Sequence, residues 1–438
     1  MLNQLKAKSK ALIGHQGFKR YAANTSWMMG EQFLRIIAGL FVGIWVARYL
    51  GPEQFGLFSY VLAFTAIFGG IAKLGLDGIV VRELVNHPEK RETYLGTAFW
   101  LKIFGAFIVM SLMAAIVPFT SNDSTTNLFI FIIAAGLIFQ SFEVVEFYFQ
   151  SQVLAKIVSI CKVIQLALSS IIKIYLVFTE AELLWFVLVT VFDALSLAIG
   201  YFTAYKTLKN TSFYKHFDFS IAKYLLKDSW PLILSGIVVM IYMRIDQVMI
   251  KEMLGVYEVG IYSAAIRLSE AFYFIPVMIS ASLFPAILNA KKQSHKLYKK
   301  RLQRLYTFMV WMAISLALPM TFLSDWLIQL LFGQAYQAAG EVLVIHIWAS
   351  VFVFLGVASG KWFIAENLQH LTLINTSVGA IFNVVLNFIF LSKFGLLGAA
   401  YATVISYAIA AYFMNFIWSA SRPNFFMISK SFFILDLK

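Results

Sequence analysis

The chain has 438 residues, of which 61% are hydrophobic and only 13% charged, with a mean hydropathy of +0.79. Soluble globular chains are nearer half apolar and a quarter charged, so this composition excludes one. Apolar runs of about 20 residues recur from end to end, the length that crosses about 30 Å of hydrocarbon, whereas a β-barrel would show alternating runs of about ten.

The formal net charge of +13 invites nucleic acid as a partner, but membrane topology accounts for it. Twelve spans fit at 24–48, 53–75, 95–117, 127–148, 154–178, 182–205, 229–252, 258–288, 304–324, 340–362, 370–392 and 396–419. Of the 35 Lys and Arg, 26 then fall in segments on the side of the N-terminus, and only Arg48, Lys251 and Lys393 on the other. That is the positive-inside asymmetry, so both termini are expected in the cytoplasm and no nucleic-acid partner is expected. The predicted fold is an all-α polytopic membrane protein. Its one cysteine, Cys161, lies inside a span, which leaves no disulfide framework and no cysteine metal site, and neither cofactor nor metal is expected. Residues 1–20 lack the apolar core of a signal peptide and read as a cytoplasmic tail.

Span one carries Glu31 and Arg35 at i,i+4, acid before base, the favourable order for a pair. A tight GPEQFG turn at 51–56 leads into span two, and DGIVVRELVNHPEKRETY (77–94) reads as an interfacial helix. Lys102 in span three lies where a lysine could snorkel to the interface. Span four holds Gln140, Glu143 and Glu146 near its inner end. On span five, Ser159, Lys162, Ser169 and Lys173 share one helical face, with Gln165 at its edge, a stripe that should line water. Span six adds Thr190, Asp193, Ser196 and Gly200 on one face.

Residues 206–228 form the longest basic break, after which the pattern restarts. Leu50-Gly51 with Gly56-Leu57-Phe58-Ser59 matches Leu254-Gly255 with Gly260-Ile261-Tyr262-Ser263 at a constant offset, between consecutive spans in both halves. An offset of six spans keeps both copies in one orientation and implies parallel repeats with the working site between them. The predicted organisation is an N-terminal six-helix lobe (1–206), a basic linker (207–228), a C-terminal six-helix lobe (229–420) and a cytoplasmic tail (421–438). Pro276 or Pro285 is expected to bend span eight, His346 lies in span ten, and spans eleven and twelve carry Asn375, Asn383 and Asn387, then GLLGAAYATVISY (395–407).

No HExxH, GxSxG or Walker A occurs, the six histidines are scattered, and no outer loop is long, so an enzyme such as a membrane polysaccharide polymerase is the weaker alternative. The intramembrane charges form the better constellation. Tyr242–Glu270 puts Arg244, Asp246, Arg267 and Glu270 in two spans folded together at Leu254–Tyr257, with Arg244 and Arg267 at similar depth. Asp246 with Arg267, and Arg267 with Glu270, are the expected pairs, whereas Arg35, Lys162, Lys173 and Arg244 lack acids to match them one for one. Unpaired cations in a wet cavity suit an anionic substrate such as a diphosphate. Arg35, Lys162, Lys173, Arg244 and Arg267 are therefore the substrate-binding candidates, and Glu31, Asp193, Asp246 and Glu270 the coupling or gating carboxylates.

The stretches ARYLGPEQFGLFSY (47–60), IDQVMI with LGVYEVGIYSAAIRL (245–268), LFP (283–285), LLFGQAYQAAGEVL (330–343) and GLLGAAYATVISY (395–407) recur in order over nearly the whole length. Through them the chain resembles the polysaccharide flippase family, the exporters of O-antigen and capsule repeat units, within the multidrug/oligosaccharidyl-lipid/polysaccharide exporter superfamily. The resemblance implies twelve helices in two six-helix lobes around a central cationic cavity. It also implies alternating access that turns an undecaprenyl-diphosphate-linked oligosaccharide across the bacterial inner membrane, driven by a proton or cation gradient. Its implied partners are that substrate, membrane lipid, and a polysaccharide polymerase and chain-length regulator. Lipid II flippases carry extra helices and a more arginine-rich first helix, which this chain lacks. A drug/cation antiporter of the same superfamily is the other alternative, and the cationic stripe of span five argues against it.

Overall fold

The computed structural model describes residues 16–208 and 212–433, with side chains from residue 23 onward. The expected tail at 1–20 therefore falls largely outside the described residues, as do positions 209–211 of the basic linker and 434–438. All regular structure among the described residues is helical. A bilayer requires this, because each backbone N–H and C=O must find its partner within its own segment. Eleven stretches among the described residues are long and apolar enough to cross a membrane, and the first, Ala23–Asn86, contains two of the twelve expected spans.

The chain clusters into two compact units, residues up to Gly43 with Phe68–Gly236, and Ile44–Ile67 with Ile237–Lys438. The first unit contains most of helix α1 outside Ile44–Ile67 (α1 is Gln16–Ala72), α2 (Asp77–Asn86), α3 (Arg91–Ile116), α4 (Ser124–Phe139), α5 (Val144–Ser151), α6 (Ala155–Phe178) and α7 (Leu183–Thr207). Leu76, Val80, Phe149, Tyr205 and Phe213 belong to its core. The expected interfacial helix is α2, and it turns Ile79, Val80, Glu83 and Leu84 inward.

Helix α8 (Phe219–Met253) leads into the second unit, which continues with α9 (Val256–Glu270), α10 (Phe274–Gln293), α11 (His295–Phe332), α12 (Ala339–His346), α13 (Ala349–Ala365), α14 (Gln369–Phe394) and α15 (Leu396–Ala408). A π-helical turn, Ile409–Phe413, then precedes α16 (Met414–Ile417) and α17 (Arg422–Phe433). Tyr298, Tyr306, Met309, Phe354 and Trp362 belong to the core. Span eight does bend, at Ala271–Tyr273, just before Pro276. Proline has no N–H to offer the preceding turn, so the helix breaks there and restarts. Residues 422–433 form a helix that is hydrogen-bonded to its neighbours, which a polar tail does not suggest. Asn424 of α17 donates to Ser359 Oγ at 2.6 Å and to Asn415 Oδ1 at 2.9 Å, while Gln303 Nε2 of α11 donates to the Met427 carbonyl at 2.9 Å.

The repeated glycine motif explains the turn at Gly51. Gly51 breaks α1 with φ 70° and ψ 170°, and Gly255, its counterpart, precedes α9 with φ 121° and ψ 176°. Positive φ of this kind is open to glycine and strained for side-chain-bearing residues. The two motifs also meet within the second unit. A Cβ at Gly56 would overlap the Val256 carbonyl oxygen, and one at Gly260 would overlap the Pro52 carbonyl oxygen. Backbone therefore lies on backbone, the close approach that small residues permit in membrane helices.

Two outcomes follow. Gly56→Ala and Gly260→Ala should each force these helices apart and lower the thermal unfolding midpoint of the purified protein, an overpacking cost of about 1–3 kcal/mol, whereas Gly30→Ala, with open space around it, should not. At the turn after α13, Glu366 pairs with Lys291 at 2.9 Å and accepts from Tyr298 Oη at 2.7 Å. Burial pushes the Glu366 carboxyl up, but the hydrogen bonds from Lys291 and Tyr298 outweigh it and hold the group below its ordinary value. A depressed carboxylate adds stability above its unfolded pKa, about 4.3, and loses it as pH falls through the folded value. Glu366→Gln should thus lower the unfolding midpoint at pH 7, and its difference from wild type should close as the pH is taken below 4.

Candidate functional site

Placing a charge in a membrane-buried helix is costly unless an opposite charge or several hydrogen bonds compensate it. In the first unit the compensation is one for one. Arg35 meets Glu31 at 2.6 Å, one turn away on α1, as their spacing predicts. Lys162 of α6 meets Glu146 of α5 at 2.7 Å, and Tyr201 of α7 donates to the other oxygen of Glu146 at 2.6 Å. Lys173 meets Asp193 of α7 at 3.2 Å, and Ser169 donates to that same carboxylate at 2.9 Å. Lys102 does not snorkel: it is 3% exposed and paired with Glu143 at 2.8 Å.

The expectation of cations without matching acids is thereby corrected. Arg35, Lys162 and Lys173 each have a carboxylate, as does Arg244 in the second unit. The acids were visible in the sequence, but which helix face turned toward which neighbour was not. The polar stripe of α6 likewise turns into protein, with Ser159, Gln165 and Ser169 buried. The paired cations are nevertheless reachable, with side-chain exposures of 36% for Arg35, 23% for Lys162, 26% for Lys173 and 29% for Arg244.

In the second unit Arg244 has an acid that the sequence did not assign to it. Arg244 of α8 meets Glu270 of α9 at 3.3 Å, and the Arg267 guanidinium lies over the Phe55 ring at 5.5 Å. Asp246 lies about 200° around α8 from Arg244 at 100° per residue, and faces α14 and α15.

Asp246, only 5% exposed, is held by neutral donors. Tyr262 Oη donates to it at 2.8 Å, Thr403 Oγ1 at 2.6 Å and Asn387 Nδ2 at 2.6 Å. The Oδ1 atoms of Asn383 and Asn387, buried on the adjacent helix, accept no hydrogen bond. Nearby, Ser269 Oγ and His346 Nδ1 share a bond of 2.7 Å, and the His346 ring meets the Tyr262 ring edge-on at 5.9 Å. A carboxylate beside neutral oxygens is a donor set for a proton or a hard monovalent cation. Sequence reasoning singled out Asp246 and the asparagines of span eleven but did not join them. The available signal was the i,i+4 spacing of Asn383 and Asn387 within an apolar helix.

The family model described as polysaccharide biosynthesis protein matches residues 21–291, and one described as MatE matches 231–389. The chain is 22% identical to the capsular polysaccharide biosynthesis protein CapF of Staphylococcus aureus over 88% of this chain and 96% of CapF. It is 25% identical to the probable flippase AglR of Haloferax volcanii over 88% of this chain and 81% of AglR. The fold matches an inward-facing MATE multidrug transporter of the MOP superfamily with a TM-score of 0.72, 16% identity, and coverage of 90% and 96%.

Removing one member of the Arg244–Glu270 pair should cost more than removing both. Arg244→Gln and Glu270→Gln should each lower the unfolding midpoint, and the double variant should recover part of the loss, a coupling of about 1–3 kcal/mol. Additive losses would show that the pair does not interact.

Proposed function

The chain belongs to the polysaccharide biosynthesis protein family, and we propose that it flips an undecaprenyl-diphosphate-linked oligosaccharide repeat unit across the bacterial inner membrane. The observation that carries this reading is the set of half-exposed cations, each resting on a carboxylate: Arg35 on Glu31, Lys162 on Glu146, Lys173 on Asp193, and Arg244 on Glu270. A diphosphate offers the same charge-assisted bonds as those carboxylates with more negative charge, and arginine can grip it at two points. Substrate would exchange with the internal acids, which hold the cations when it is absent. The polyprenyl tail stays in lipid, so the protein needs to shelter only the diphosphate and sugars. Arg267 belongs with the substrate-binding cations in this reading.

Asp246 supplies the coupling. Its cage of Tyr262, Thr403 and Asn387 ties α8 and α9 to α14 and α15. Loading a proton or small cation there would redistribute those hydrogen bonds, which supports alternating access driven by an ion gradient. Polysaccharide polymerase and chain-length regulator are the proposed downstream partners, with both termini cytoplasmic. The MatE match over 231–389 favours a second reading, a drug/cation antiporter. The four accessible cations fit an anionic cargo better, since each would repel a cationic drug.

The test is complementation of a strain lacking its own O-antigen or capsule flippase. Arg35→Ala, Lys173→Ala and Arg244→Ala should each abolish surface polysaccharide, with precursor accumulating in the membrane and the variant protein still inserted. Asp246→Asn should slow flipping and remove its response to collapse of the ion gradient. Wild-type surface polysaccharide from all three cation variants overturns the assignment, and gained drug resistance in place of complementation establishes the antiporter.

A further inference from the structure

The second unit contains a cavity that the charged groups do not use. Its volume is ≈ 270 Å³, and Tyr242, Tyr273, Tyr407, Asn375, Thr376 and Ser359 are among the residues lining it. That is close to the lower end of ligand pockets, about 300 Å³, so it holds one small ring rather than a chain of them.

Three features narrow the occupant. Among the described residues no Lys, Arg, Asp or Glu lines the cavity, so a phosphate or a cation finds no counter-charge among them. The Tyr242 and Tyr407 rings stack at 4.5 Å and 30°, an aromatic wall. Asn375 is only 4% exposed, yet neither its Nδ2 nor its Oδ1 has a hydrogen-bond partner among the described residues. A buried amide left unmade is costly, so an isoprenoid chain is a poor occupant. The site asks for a neutral ligand with apolar faces and, at its edges, both donors and acceptors.

A sugar ring has that chemistry: axial C–H groups pack on tyrosine, and hydroxyls both give and accept hydrogen bonds. We propose that this cavity is a subsite for one neutral pyranose ring, with Asn375 reading its hydroxyls and the tyrosines its face. This rests on the reading of the substrate as a lipid-linked oligosaccharide and adds where one of its sugars sits. The walls are suited to specificity. The π-helical turn Ile409–Phe413 places Ala410 and Ala411 against the cavity, and such turns recur at functional sites. Asn424 of α17 fixes Ser359 and Asn415, so the polar floor is held in place from the far end of the chain.

The position links sugar to coupling. Tyr242 precedes Asp246 by four residues on α8, and Tyr407 follows Thr403 by four on α15. Four residues are about 6 Å of helix. A ring seated on these tyrosines therefore bears on two of the helices that hold Asp246.

The experiment is saturation-transfer NMR on the full chain in lipid nanodiscs, free of maltoside detergent, with methyl glycosides of neutral hexoses and N-acetylhexosamines as probes. At least one glycoside should receive saturation. Asn375→Leu, which keeps the side-chain shape, should weaken its binding about tenfold, since two hydrogen bonds are lost. Ala411→Leu, which fills the cavity from another wall, should abolish the signal, and it serves if Asn375→Leu does not fold. Arg244→Ala should retain glycoside binding while losing flipping, so failure of the flippase reading shows in complementation and failure of the subsite shows only here. No saturation of any glycoside, or binding unchanged in both cavity variants, overturns the proposal and leaves a cavity that holds water alone.

Discussion

The low dielectric of the bilayer governs this chain more than any single contact. A charged side chain inside it must find an opposite charge, a cage of dipoles or water, and the cost of failing exceeds what packing can recover. The protein answers in two ways. Lys102, Lys162, Lys173, Arg35 and Arg244 each lie within 3.3 Å of a carboxylate. Asp246 instead rests among hydroxyl and amide groups. A paired charge is satisfied but can trade its partner for a stronger anion. A carboxylate caged by dipoles is held without an opposite charge of its own.

Helix α8 gathers these roles into five residues. Tyr242 lines the neutral cavity, Arg244 meets Glu270, and Asp246 sits in its cage. Their separation around the helix keeps the three apart: residues two apart point nearly opposite ways, and residues four apart point nearly the same way, one turn along. Because one rigid helix carries all three, a shift that serves one of them displaces the others.

The all-helical, membrane-length character of the segments was legible because hydrophobic length leaves few alternatives in a membrane. The paired turns at Gly51 and Gly255 were legible because positive φ demands glycine at a fixed offset. The Glu31–Arg35 pair was legible because i,i+4 spacing is local. Partners between helices were not, since helix rotation is set by tertiary packing. Hence Glu146 for Lys162, Asp193 for Lys173 and Glu270 for Arg244 emerged only in three dimensions, and so did the neutral cage of Asp246. The break before Pro276 shows the intermediate case: proline announced a bend, and the absent hydrogen bond placed it a few residues earlier. The grouping of Ile44–Ile67 with the second unit had no sequence signal, because the composition does not change at either of its ends.

The glycine contact is made from both sides by one repeated pattern. Gly56 approaches Val256 while Gly260 approaches Pro52, and these are the same two positions of the repeated motif exchanged. That is an isologous contact, the kind a two-fold homodimer makes with itself. Each copy of the motif presents the surface that the other needs, so one short pattern written twice in a chain specifies the contact from both sides, and a side chain added at either glycine would open both halves of it.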